Sequence, residues 1–228
     1  DYASTLSDAD TDEDELDDIL ADTNGVVTAS LSGVSAAIDT ALANGDAADA
    51  LTITLTAGSV AATVLSSLDT KTNIAVGAGS ITTHTGTLAE VKSVVDAGAT
   101  ITTNAAYAAT ISDAGATAVA ATNLSAVGGD TTGTVTVTNA VAISGTEAQV
   151  TAALVTTATK VTAASAVVTV SDADTGETEL DLILGTTTGA VTAALAGVAA
   201  TIDTALTNGD SADALTITLT AGSVAATV

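Results

Sequence analysis

The chain repeats itself, and the repeat constrains the fold more than any other feature. Residues 7–64 align without a gap on 171–228, an offset of 164, with 45 of 58 positions identical; Ala48–Val64 and Ala212–Val228 match throughout. A finer period lies inside this one. The stretch beginning at Gly86 (GTLAEVKSVVDAG) aligns with that beginning at Gly145 (GTEAQVTAALVTT), an offset of 59, and DYASTLSDA at the start aligns with AYAATISDA around Tyr107, which makes Tyr2 and Tyr107 equivalent. The chain therefore divides into repeat units 1–56, 57–112, 113–171 and 172–220, the last a copy of the first, with 221–228 opening the next. A fixed period of this size is the mark of a supersecondary unit that buries its apolar face against its own neighbours.

Each unit contains the same pieces. A β-type run (Leu51–Thr56, Val167–Val170) is followed by apolar residues at helical spacing, as in Leu16, Ile19 and Leu20 or Val60, Val64, Leu65 and Leu68. A second β run follows (Thr134–Thr138, Asn73–Val76), then a helix of small residues opened by Gly-Thr or Gly-Val. Thr87 with Glu90, and Thr146 with Gln149, have the spacing of a capping box. Gly98, Gly45 and Gly209 stand where such helices should stop. The unit reads β-α-β-α, each βα pair taking roughly 25–30 residues, the size of one coil of a leucine-rich-type solenoid. The expected fold is an α/β, elongated β/α solenoid with a parallel sheet and right-handed crossovers. An all-β solenoid is the alternative, and a row of β-sandwich modules comes third.

Composition agrees with a thin core. Hydrophobic residues make up 47% of the chain, yet Phe, Trp, Met, Cys and Pro are all absent, so Ala, Val, Ile and Leu must fill the interior. Without cysteine there is no disulfide, thiolate nucleophile or Cys-based metal site. A start at Asp1 with no Met anywhere is expected of a processed product or a slice of something longer. No apolar run approaches the ~18 residues of a membrane span. With 27 Asp and Glu against 3 Lys and Arg, the net charge is -24. That excludes nucleic acid and anionic lipid as partners, because both are bound through cationic side chains.

Candidate sites are few. Asp8, Asp10 and Asp12 alternate like the oxygen ligands of a calcium loop, and the copy keeps Asp172 and Asp174. The EF-hand pattern fails, since its sixth and twelfth positions are Glu13 and Ile19, and Gly176 replaces Asp12 in the copy. The competing reading is an acidic helix N-terminus favoured by the helix dipole. Asp46 and Asp49, with their copies Asp210 and Asp213, lie in Asn-Gly-Asp turns that turn chemistry alone explains; they are the second-choice ligands. His84, the single histidine, aligns with Ile143, so it reads as a residue facing a neighbour or solvent rather than a catalytic base. No phosphate-binding glycine loop and no H-E-x-x-H zinc motif occurs. Thr52, Thr54 and Thr56, Thr134, Thr136 and Thr138, and Thr216, Thr218 and Thr220 alternate with Ile, Leu or Val, giving strands with one hydroxylated face. Such a face is an ordinary exposed β surface; stacked flat, it would suit ice or polysaccharide.

The combination of ISGT-A-V-AAL (from Ile143), TVSDA (from Thr169) and TTG-V-TA (from Thr187) resembles the tandem repeats of very large surface or secreted proteins of marine cyanobacteria and related bacteria, including those implicated in non-flagellar swimming. The resemblance implies a structural or adhesive role outside the cell or at its surface, with no catalytic residues. In salt like that of seawater the Debye length falls below ~8 Å, so dense negative charge is tolerated and keeps a long array soluble. The expected function is a non-enzymatic structural repeat segment of a long extracellular fibre, surface layer or adhesin, whose partners are further copies of the repeat. The alternative is a module binding glycan, calcium or ice through a repeated face. No cofactor is required; calcium is the one ion the Asp spacing invites.

Overall fold

A computed structural model describes residues 2–220, which fall into two compact units divided between Thr110 and Ile111. The first contains β1 (Ser4–Thr5), α1 (Glu13–Asp22), β2 (Val27–Gly33), α2 (Ser35–Ala41), β3 (Ala50–Leu55), β4 (Gly58–Ala61), α3 (Ala62–Asp69), β5 (Val76–Ala78), β6 (Ile81–Gly86), α4 (Leu88–Ala97) and β7 (Ile101–Thr103). β8 (Ala108–Ile111) lies at the boundary. The second contains β9 (Ala118–Ala120), α5 (Ala121–Asp130), β10 (Val135–Val137), β11 (Ala142–Gly145), α6 (Glu147–Val150), β12 (Val161–Thr162), β13 (Val167–Val170), α7 (Glu177–Leu184), β14 (Val191–Gly197), α8 (Ala199–Ala205) and β15 (Ala214–Leu219). α6 continues into a π-helical turn, Thr151–Val155.

The fold is α/β with parallel sheets. In the first unit one sheet has the order β1-β2-β3-β5-β7, and in the second one has the order β15-β14-β13-β11-β9. A third, shorter set pairs β4 with β6 in the first unit and β10 with β12 in the second. Ser4 pairs with Val27, Thr28 with Ala50, Thr54 with Gly77 and Val76 with Ile101; in the second unit Ala118 pairs with Ala142, Ala142 with Val167, Val168 with Val191 and Thr192 with Ala214. One strand-to-strand step therefore spans about 22–26 residues, mostly shorter than the 25–30 expected from the sequence, yet in the range of coil-forming repeats. The parallel pairing and the helices α1 to α8 overturn the all-β alternative and the row of sandwiches.

The two copies fold alike. β14, α8 and β15 are β2, α2 and β3 displaced by 164, and α7 begins 164 residues after α1. Strand interiors are Val27, Ala29 and Leu31, or Leu51, Ile53 and Leu55, all buried, while the intervening Thr52 and Thr54 face outward. Helices present one narrow stripe: Leu88, Val91 and Val94 on α4, Leu65 and Leu68 on α3, Leu124 and Val127 on α5. Each such burial contributes roughly 1.5–3 kcal/mol. Both capping boxes are formed, Thr87 with Glu90 at α4 and Thr146 with Gln149 at α6.

Several expectations shift. In β3-β4-α3 and β5-β6-α4 two strands precede each helix, so the β-α-β-α reading fails there. Val60, counted as helical, is an inward strand residue of β4, and α3 begins only at Ala62. Gly58, at φ +150, makes the bend that turns the chain from β3 into β4. The strand expected at Asn73–Val76 begins only at Val76. Gly98 does close α4, at φ +57. α2 and α8, by contrast, end at Ala41 and Ala205, before Gly45 and Gly209, with Leu42 and Leu206 donating to Ile38 O and Ile202 O.

Candidate functional site

Most of the acidic side chains that the sequence offered as ligands accept hydrogen bonds from main-chain N–H groups, some in their own turn and some in a neighbouring step. Asp10 accepts from the Ser32 N–H at 2.7 Å, and its copy Asp174 accepts from the Ala196 N–H at 2.7 Å. Asp12 is the N-cap of α1, its Oδ1 accepting from Asp14 and Glu15 N–H groups, followed by Glu13, Asp14 and Glu15 in the first turn. This is the dipole-favoured arrangement. Gly176, in the position of Asp12, makes no such cap, and its N–H donates to Glu147 Oε2 at 2.8 Å. Asp172 accepts from the Glu147 N–H at the start of α6. Asp8 is exposed. These carboxylates serve separate main-chain groups, and among the described residues no three or more His, Cys, Asp or Glu side chains are grouped to hold a metal ion.

The Asn-Gly-Asp turns follow the same rule in both copies. Asp49, 5% exposed, takes the Val27 N–H on Oδ1 at 2.9 Å and the Asp46 N–H on Oδ2 at 3.1 Å. Asp213 takes the Val191 N–H at 2.8 Å and the Asp210 N–H at 2.7 Å. Asp46 and Asp210 each accept from the N–H two residues on, at 2.7 Å, an Asx turn. A polar recess of about 220 Å³ is lined by Thr23, Asn24, Asn44, Asp46 and Asp49, and both Asp49 oxygens at its wall are already engaged.

Asp17 and Asp181 fasten the next turn. Asp17 accepts from Asn44 N–H and Nδ2 at 2.7 and 2.8 Å. Asp181 accepts from the Thr207 N–H and Asn208 N–H at 2.6 and 2.7 Å. Partial burial pushes the Asp181 carboxyl up, but hydrogen bonds from the Asn208 N–H, the Thr207 hydroxyl and N–H, and the Asn208 amide outweigh it and hold the group below its ordinary 3.8.

A second clasp, built from threonine, has no counterpart among the sequence candidates. Thr23 Oγ1 donates to Tyr2 O at 2.6 Å and accepts from the Gly25 N–H at 3.0 Å; Thr187 Oγ1 donates to Ala166 O at 2.6 Å and accepts from the Gly189 N–H at 3.0 Å. Thr72 does the same to Leu51, accepting its N–H at 2.9 Å and donating to its O at 2.8 Å. The reach is 21 residues each time. A Cβ at Gly25 or Gly189 would overlap the carbonyl of Tyr2 or Ala166, which is why the turn reads Thr-x-Gly there. The signal was in the sequence, in TNG at Thr23 and TTG at Thr131 and Thr187.

His84 is not at the surface. It is 0% exposed and stacks on Tyr107, also 0% exposed, with ring centroids 4.2 Å apart and planes at 11°. The equivalent Ile143 is 1% exposed. The slot is a core slot. Tyr2, the equivalent of Tyr107, is 56% exposed. Lys71, between α3 and β5, also reaches back to the preceding step: its Nζ donates to Asp39 O at 2.9 Å and to Leu42 O, and lies 3.6 Å from Asp39 Oδ1. A cation thus meets the carbonyl end of α2.

The hydroxylated faces are exposed as expected at Thr52, Thr54 and Thr56, Thr134, Thr136 and Thr138, and Thr216, Thr218 and Thr220. Across strands, Ser32 aligns with Thr54 and Thr54 with Gly77, and Gly77 with Thr102, so the row is interrupted at Gly77. Ser144, Thr169 and Thr192 form a second row. Among the described residues no helix is long and apolar enough to cross a membrane. Comparison with known protein families, curated proteins and solved structures finds no match to this chain.

Proposed function

We propose that the chain is a non-enzymatic structural repeat segment of a long extracellular fibre, surface layer or adhesin, built as a β/α solenoid. The observation that carries this reading is that the recurring polar side chains fasten one step of the repeat to the next. Asp10, Asp17, Asp49 and Thr23 recur as Asp174, Asp181, Asp213 and Thr187 with the same main-chain partners displaced by 164. A site for a substrate needs side chains converging on a shared space; here the polar groups run along the chain, each satisfying a backbone group that strand pairing leaves over. Repeats whose stability comes from neighbour contacts extend without limit of length. The excess of Asp and Glu, concentrated in residues 1–56 and 172–220, then gives each 164-residue period a solubilising charge. The span that holds the residues quoted for the likeness to giant surface and secreted proteins, Ile143 to Ala193, carries parts of β11 and β14 with α6, β12, β13 and α7 between them, the same framework. Negative-stain imaging of the native source material tests the reading: filaments of uniform width are expected, and monodisperse globules contradict it.

The exposed Ser and Thr rows favour a second reading, a binding module for glycan or ice. Its hydroxyls lie about 4.8 Å apart between strands, a spacing a lattice or polysaccharide can match. A thermal-hysteresis assay and a glycan array on the intact chain test it, and silence in both removes it. Calcium belongs to this reading through Asp8, Asp10, Asp12, Asp172 and Asp174; a melting temperature equal in excess EDTA and in millimolar calcium removes that ion.

A further inference from the structure

Asparagine precedes glycine three times in the chain, at Asn24-Gly25, Asn44-Gly45 and Asn208-Gly209, and the fold gives two of these pairs a task that depends on the side-chain amide. Asn44 and its twin Asn208 are exposed, and they tie the turn after α2 or α8 to the preceding helix, α1 or α7. Asn44 Nδ2 donates to Asp17 Oδ2 at 2.8 Å, beside the bond from its own N–H. Asn208 Nδ2 donates to Asp181 Oδ2 at 3.0 Å and to Asp181 O at 3.2 Å. A carboxylate only accepts hydrogen bonds, so each clasp requires the amide nitrogen where it stands.

Asparagine is a thermolabile residue. Its amide is lost when the main-chain nitrogen of the next residue, having given up its proton, attacks Cγ. The new N–Cγ bond closes a succinimide ring, the Cγ–Nδ2 bond breaks, and the nitrogen takes a proton from water and leaves as ammonia. Water then opens the ring at one of its two carbonyls, giving aspartate or isoaspartate. Glycine hinders this attack least, because it has no Cβ beside the attacking nitrogen. Asn73, Asn104, Asn123 and Asn139 are followed instead by Ile74, Ala105, Leu124 and Ala140. The Gly25 N–H donates to Thr23 Oγ1 at 3.0 Å, which helps it keep its proton, whereas the N–H groups of Gly45 and Gly209 make no hydrogen bond among the described residues.

We propose that Asn44 and Asn208 are deamidation sites, and that the reaction turns each clasp into two facing carboxylates and frees the turn from its helix. The donor is replaced by a charged oxygen set against Asp17 or Asp181, and like charges at hydrogen-bond distance repel. Isoaspartate also adds one carbon to the main chain inside a turn whose Asp46 or Asp210 bonds depend on its length. Because Asp17 and Asp181 restrain the two side chains, the reaction proceeds on the slow timescale of local opening. A long-lived chain would therefore age at the same place in both copies, whether or not copies join into an array.

The test is storage of the full 228-residue chain in warm, mildly alkaline buffer, with peptide mapping by mass spectrometry for the one-unit gain in mass and for isoaspartate. Asn44 and Asn208 are expected to convert first, Asn24 more slowly, and the other four asparagines several-fold more slowly still. Conversion at Asn44 and Asn208 no faster than at Asn73 or Asn139 overturns the proposal. Gly209→Ala places a Cβ 3.8 Å from Leu184 Cδ1, an ordinary contact, so it should keep the fold and slow conversion at Asn208 several-fold; an unchanged rate there is equally fatal. Asn44→Asp supplies the product directly. Its unfolding midpoint in urea should lie below that of the wild type at neutral pH and approach it as pH falls through the carboxylate range, where a protonated side chain can donate to Asp17 again. A midpoint equal to that of the wild type at neutral pH, or a deficit that does not change with pH, overturns the facing carboxylates and the proposal with them.

Discussion

The hexapeptide ALTITL occurs twice, as β3 and as β15, in the same backbone conformation and on the same register to its preceding strand, yet its apolar residues are buried in one place and exposed in the other. Ile53 is 1% exposed and Ile217 46%. Secondary structure here is thus local to the repeat, whereas burial depends on the next step, β5 in the case of β3. The proposed one-dimensional array requires such a difference, since in it a unit contributes little alone and the contact between neighbours contributes most.

Substitutions at paired positions are the strongest way to break the comparison. Ile53→Ala is expected to cost about 2–5 kcal/mol and Ile217→Ala under about 1 kcal/mol, read by chemical denaturation. Equal costs would mean that the strand, not its neighbour, sets the stability. Removing the carboxylate clasp tests the same point at lower energy. Asp49→Ala leaves the Val27 N–H buried without its partner and should cost about 1–3 kcal/mol. Asp213→Ala, at a half-buried site, should cost less. If both are neutral, the clasps do not contribute to stability.

His84 sharpens the comparison from the other side. Since the next unit carries Ile143 in the equivalent core slot, His84→Ile should change stability by less than about 1.5 kcal/mol in either direction. A much larger loss would show that the stack on Tyr107 is specific to this step. The smallest effect concerns Asp181. A carboxyl held below its ordinary value contributes stability that is present above that value, 3.8, and is lost as pH falls through the lower value of the folded state. Asp181→Asn should therefore flatten the acid limb of the stability profile in that window, and an unchanged limb would contradict the assignment.

Much of the framework was legible because its signals are local. The duplication, the two capping boxes, the alternating Thr strands and the stop at Gly98 are each set by residues within a few positions of one another. What the sequence concealed depends on contacts about one step away. Asp49 and Asp10 read as turn residues or calcium ligands because nothing in their neighbourhood shows that Val27 and Ser32 supply N–H groups. His84 read as facing either a neighbour or solvent, with nothing to choose between them, since Tyr107, on which it stacks, is 23 positions on. The shift from β3 into β4 was missed because Gly58-Ser59-Val60-Ala61 is too short for a period of two to stand out from the helix behind it. Thr23 and Thr187 were overlooked because a Thr-x-Gly turn has meaning only once a second strand is known to run 21 residues earlier.

The central claim, that neighbouring steps hold one another and so extend into an array, is tested most directly by the length of particles made from one, two and three joined 164-residue copies. At one strand spacing of about 4.8 Å per step and about seven steps per copy, electron microscopy should show an increment of roughly 34 Å per copy at constant width. Particles that instead grow equally in all directions, or that resolve into separate beads on a flexible string, would contradict it.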